Sequence, residues 1–87
     1  MNLQEIYWKL RNHPKGSKEI AEISRSMPYD NPAKRVVEAQ RAIVDLVAGS
    51  RYKGDVEKFV NEYEEQRVTS VDIIEFTGKR EIAKLAA

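Results

Sequence analysis

The chain has 87 residues, 41% of them hydrophobic and 33% charged, a balance too apolar for disorder and a length that suits one modest core. It contains no cysteine, which excludes disulfides, thiolate chemistry and cysteine–zinc sites. The formal net charge is only +1, so nothing in the sum marks a strong polyanion binder.

The distribution of charge is less even. Residues 1–54 hold ten Lys and Arg against six Asp and Glu, whereas residues 55–87 hold five against eight. A basic front and an acidic back suit a chain that meets a polyanion with one face. The start, "MNLQEIYWKLRN", lacks the apolar core of a signal peptide. The longest apolar stretch, around "AIVDLVAG", is broken by Asp45 and is far shorter than the ~20 residues of a membrane span. These features lead us to expect a cytoplasmic protein with no membrane partner. No internal repeat or interdomain linker is visible, so residues 1–87 are expected to form one domain.

Helix signals dominate in chain order. Asn2 and Glu5 have capping-box spacing, after which Leu3, Ile6, Tyr7 and Leu10 fall on one stripe. "NHPKGS" is expected to end this helix at Pro14. Ser17 is expected to cap a second helix through Met27, with Ile20 and Ile23 inward. "MPYDNP" reads as a loop. Asn31–Pro32 then starts a third helix, an N-cap acceptor followed by proline at the first helical position. That helix runs to about Ala48, with Gly49 suited to a left-handed close.

Asp55 is expected to open a fourth helix, in which Val56, Phe59, Val60, Tyr63 and Arg67 recur at helical spacing. Its outer face is acidic, with Glu62, Glu64 and Glu65 expected in solvent. Thr69 and Asp72 repeat the capping spacing, and three forms stay open for residues 69–87. One is a single helix with Val71, Ile74, Gly78, Ile82 and Leu85 as its stripe. The others are two helices parted at Gly78 and a hairpin turning at "TGK". The expected fold class is therefore all-α, a small bundle of four to five short helices.

Trp8, Ile73 and Phe76 lie off the inward stripes at ~100° per residue. Large apolar side chains left outside favour an interface, either a homodimer or a docked protein. Catalysis is not expected: His13, the single histidine, has no neighbouring acid or nucleophile in a known motif, and it reads as a solvated or helix-terminal residue. No His, Asp or Glu spacing suggests a metal, and the scattered glycines form no phosphate-cradling loop. No cofactor or small-molecule substrate is expected. The third helix, with Val36, Val37, Ile43, Val44, Leu46 and Val47, is expected to be chiefly a core helix. Lys34–Glu38 and Arg41–Asp45 are expected to pair along it.

Binding remains. "GSKEIAEISRSMPYDNPAKRVVEAQRAIVDLV" resembles the helix–turn–helix core of small DNA-binding domains, winged-helix ones included. The resemblance spans about residues 3–48 and is carried by "SKEIAEIS", where Ile20 and Ala21 match the apolar-plus-small pair, and by the preceding "LRNHPKG". It departs at Arg25, where the motif usually has glycine. The resemblance implies that the third helix enters the major groove by its first turn. Lys34 and Arg35 would then meet phosphates or guanine edges, Asn31 a phosphate or adenine, and Lys18 and Arg25 the groove's flanks. Arg51, Tyr52 and Lys53 would form a backbone-contacting loop. Two function classes follow: a non-catalytic, dimeric DNA-binding regulator using residues 18–53, or an adaptor or inhibitor that docks on a larger protein.

Overall fold

The first helix ends before Pro14, as expected, and Pro14 itself begins the next helix. In the computed structural model, which describes residues 2–49 and 51–86 (the side chains of 81, 83, 84 and 86 excepted), α1 is Leu3–Asn12 and α2 is Pro14–Ser26. The single residue between them serves both. The His13 backbone N–H donates to Lys9 O at 3.0 Å, closing α1. Its imidazole Nδ1 accepts the Gly16 N–H at 3.3 Å, capping α2. Proline suits the first helical position because no N–H is needed there. The second helix thus starts three residues before the expected Ser17. The junction is tight: a methyl group on buried Gly16 would lie 2.4 Å from Leu10 O.

Asn2 caps α1 as its spacing predicts, Oδ1 accepting the Glu5 N–H at 2.8 Å. Only Ile6 and Leu10 of the expected stripe are fully buried; Tyr7 is half-buried and Leu3 exposed. Along α2, Ile20 and Ile23 point inward and Met27 follows them into the core. Ala21 is exposed.

The third helix, α3, is Pro32–Ala48, capped by Asn31 Oδ1 on the Ala33 N–H at 2.9 Å. Ala39, Ala42, Ile43, Val44 and Val47 supply much of the core. Val36 and Val37, expected inside, are 41% and 47% exposed. Gly49 does not take the left-handed close expected of it: its φ of −62° and ψ of 163° are extended. Left-handed φ values fall instead at Lys53, 53°, and Gly54, 85°. The Gly54 N–H there reaches back to Val47 O at 2.8 Å.

Helix α4 is Val56–Glu64, with Asp55 Oδ1 accepting the Lys58 N–H at 3.0 Å. Arg67, expected on its stripe, lies beyond its end. The helix closes in a Schellman arrangement: Gln66 takes φ 62°, and the Arg67 and Gln66 N–H groups donate to Glu62 O and Tyr63 O. Glu62 is buried and not in solvent.

A single helix, α5, spans Ser70–Ala86 and settles the open question about residues 69–86. Its capping box is reciprocal: Thr69 N–H donates to Asp72 Oδ2 at 2.9 Å, and Asp72 N–H to Thr69 Oγ1 at 3.3 Å. Its rotation about its own axis is the reverse of the expected one. Ile73 and Thr77 are buried, while Val71, Ile82 and Leu85 are exposed. Arg80 explains this orientation, since its guanidinium reaches Asp45 and Glu38, both on α3. Those same contacts displace the expected Lys34–Glu38 and Arg41–Asp45 pairs. Arg41 reaches Glu38 at 3.7 Å, and the Lys34 ammonium lies 4.7 Å above the Tyr29 ring.

Helices α1, α2 and α3 pack pairwise against one another; α4 adds to α1 and α2, and α5 to α2 and α3. The architecture is therefore all-α, five helices around one core, with no strand among the described residues. No described helix is long and apolar enough to cross a membrane.

Candidate nucleic-acid interface

Lys18 and Arg25 are seven residues apart on α2, so they share a face about 10 Å long. Both are exposed, as is Ala21 between them. Met27–Asn31 then turns the chain into α3, whose first turn carries Lys34, exposed, and Arg35, half-buried. Cations in this place oppose the helix dipole, an arrangement that costs roughly 0.3–1 kcal/mol per charge, and no acidic residue shares the first turn of α3.

The ion pairs divide the cations into two sets. Among the described residues, Lys15, Arg41, Arg51, Arg67 and Arg80 form ion pairs with carboxylates. All five lie outside residues 16–36. Lys18, Arg25, Lys34 and Arg35 form none, and neither do Lys9, Arg11, Lys53, Lys58 and Lys79 elsewhere on the surface. Lys34 is held over Tyr29, a half-buried ring that the sequence reading passed over, although its position between Pro28 and Asp30 puts an aromatic in the loop.

One acidic residue of α2 is withdrawn from the surface. Glu19 is buried, and burial, reinforced by Glu22, raises its pKa above the ordinary carboxylate value. A raised folded-state pKa means that ionised Glu19 weakens the fold, and that this cost fades as pH falls through the raised pKa toward the ordinary value. Glu19→Gln is therefore expected to stabilise the protein at pH 7. The advantage over wild type should vanish near pH 4, where both side chains are neutral; paired denaturant midpoints at the two pH values measure it.

The remaining residues of the expected site fall elsewhere. Asn31 uses its side-chain oxygen as the α3 cap. Arg51, Tyr52 and Lys53 follow the far end of α3, about 20 Å along its axis from Lys34. Tyr52 is buried, which corrects its expected place in a backbone-contacting loop. Its ring meets Phe59 edge-on at 5.7 Å, and burial, then Glu62, pushes its phenol up to about 12.

Arg51 lies over the Tyr52 ring at 5.3 Å and reaches Glu62 Oε1 at 3.1 Å. Arg67 joins that carboxylate at 3.5 Å. The Tyr52 hydroxyl, then Arg51, holds the Glu62 carboxyl below the usual carboxylate range. This cluster clamps the two turns that flank α4, and it occupies Arg51. Lys53 is exposed and lines a groove with Trp8, His13 and Glu57.

Of the residues expected at an interface, Ile73 is fully buried and is corrected to a core residue. Phe76 is half-buried beside Leu46 and Val68. Trp8 is half-exposed, edge-on to Tyr7 at 5.4 Å, with the Arg11 guanidinium 5.6 Å from its ring.

His13 has an acidic partner that no local motif could reveal. Its Nε2 lies 2.6 Å from Glu57 Oε1, across 44 residues of chain. Because Nδ1 accepts from Gly16, the neutral ring carries its proton on Nε2 and donates it to Glu57. Both ring nitrogens are thereby engaged in joining α1, α2 and α4. Among the described residues, no group of three or more His, Asp or Glu could hold a metal ion. Comparison with protein-family models, curated proteins and solved structures finds no match for this chain.

Proposed function

We propose that this chain is a small, non-catalytic DNA-binding regulator that meets duplex phosphates with the α2–α3 corner. The observation that carries the reading is the set of cations there: Lys18, Arg25, Lys34 and Arg35 form no ion pair among the described residues, and Lys34 and Arg35 stand where the α3 dipole opposes them. Phosphate is the counter-charge that such an arrangement accepts. The interface is narrower than residues 18–53. It leaves out Tyr52, and Arg51 serves the Glu62 clamp.

Binding of a mixed-sequence duplex at low salt tests the reading. Lys34→Ala combined with Arg35→Ala should weaken it about tenfold or more, across all sequences alike, because phosphate contacts carry no sequence information. Arg51→Ala should have a much smaller effect. Equal affinity for wild type and the double variant would overturn the assignment.

A second reading, docking of a protein partner, is favoured by the apolar residues that α5 turns to solvent, Val71, Ile82 and Leu85.

A further inference from the structure

The outward face of α5 has an internal symmetry. Val71, Ile74, Gly78, Ile82 and Leu85 fall within an arc of about 80° at ~100° per residue. This arc lies roughly 140° round the helix from Ile73, Thr77 and Arg80, which face α2 and α3. Val71 is 59% exposed, Ile82 67% and Leu85 88%; Ile74 is half-buried, and a methyl group on Gly78 would meet nothing within 4 Å. The stripe is about 21 Å long at ~1.5 Å per residue. Read outward from Gly78, its members are spaced alike in both directions, at four and seven residues.

We infer that this face pairs with its own copy on a second chain, the two α5 helices running antiparallel about a two-fold axis at Gly78. In that register Val71 meets the second copy's Leu85, Ile74 meets its Ile82, and the glycines face each other, allowing close approach. An interface of this kind is self-complementary by construction. Charge supports the same pairing. Glu75 and Lys79 are exposed, flank the same side of the stripe and form no ion pair within the described chain. Antiparallel helices bring like sides together, so each Glu75 falls about 3 Å along the axis from the opposing Lys79, giving two symmetric opposite-charge pairs. A parallel two-fold alignment would put the Glu75 of one copy and the Lys79 of the other on opposite sides of the interface, and these pairs could not form. One helix face is smaller than the ~800 Å² per partner of a standard interface, so the pairing is weak and depends on concentration. It does not rest on the DNA reading, since it uses none of the same residues.

The lack of native cysteine makes the register directly readable by crosslinking. Gly78→Cys, oxidised at about 0.5 mM protein, is expected to give an intermolecular disulfide with itself. Val71→Cys and Leu85→Cys should crosslink poorly alone and well when mixed, because only a mixed pair places the two thiols opposite each other. Sedimentation of the wild type should show a dimer fraction that rises with concentration and is lost in Ile82→Asp. A strictly monomeric wild type at that concentration, or equal self-crosslinking by all three cysteine variants, would overturn the antiparallel pair. DNA binding by the same samples is a separate readout.

Discussion

Replacing Gly16 with alanine is expected to destabilise the fold by about 2–3 kcal/mol and to lower the thermal midpoint by roughly 10–20 °C in a domain of this size. The added Cβ would lie 2.4 Å from Leu10 O, 3.1 Å from Leu10 Cδ1 and 3.3 Å from His13 Cβ. The first of these is a backbone oxygen in the last turn of α1 and cannot rotate away. Relief requires α1 and α2 to separate, which disturbs His13 as the cap of α2 and as the tie to Glu57 on α4. Alanine is the better helix former by roughly 1 kcal/mol, but that gain is smaller than the overlap. Denaturant midpoints of the two proteins check the sign: a neutral or stabilising Gly16→Ala would mean that the α1–α2 junction is looser than described.

Phe59→Ala is expected to cost more, about 3–5 kcal/mol. Phe59 is fully buried, edge-on to Tyr52 and tilted against Tyr63 at 6.3 Å. Truncation opens a cavity at the centre of the α4 packing and removes the surface on which Tyr52 rests. Tyr52 faces Glu62, and Glu62 receives Arg51 and Arg67, so the turns on both sides of α4 lose their anchor together. The whole stability of such a domain is on the order of 4–13 kcal/mol. A substantial unfolded fraction at 37 °C is therefore expected, visible as loss of near-ultraviolet circular dichroism with a lowered unfolding midpoint. A loss below about 1 kcal/mol would show that the aromatic cluster is peripheral to stability.

The local hydrogen bonds of this fold are legible in the sequence, and the long-range ones are not. The caps at Asn2, Asn31, Asp55 and Thr69 each join groups two or three residues apart, so spacing alone exposes them. His13 as a cap escapes that logic because imidazole is not among the favoured capping side chains, and its tie to Glu57 spans 44 residues. Helix α5 shows the same division more sharply. Its existence follows from its capping box and periodicity, but it carries two apolar faces, and periodicity cannot say which one is inside. Arg80 decides this by reaching Glu38 and Asp45, 42 and 35 residues away. Glu62 escaped for a related reason: an acidic residue near Glu64 and Glu65 reads as surface until Arg51 and Arg67 are brought to it.

Of the residues expected at a nucleic-acid site, four lie on α2 and in the first turn of α3. Lys18 and Arg25 share a face of α2, and Lys34 and Arg35 follow after one turn at the head of α3, an order that local sequence encodes. Arg51 and Lys53 are separated from them by the length of α3, and Tyr52 is withdrawn into the core, because the chain after Gly49 folds back on α4.

The salt dependence of DNA binding tests the central claim most directly. Four phosphate contacts imply a slope of log affinity against log salt near −3.6, which is roughly a 100-fold loss between about 50 and 200 mM. Removing Lys34 and Arg35 together should halve that slope and leave roughly a tenfold loss over the same range. No binding by wild type at the lowest salt, or one slope shared by both proteins, would contradict the assignment of the α2–α3 corner.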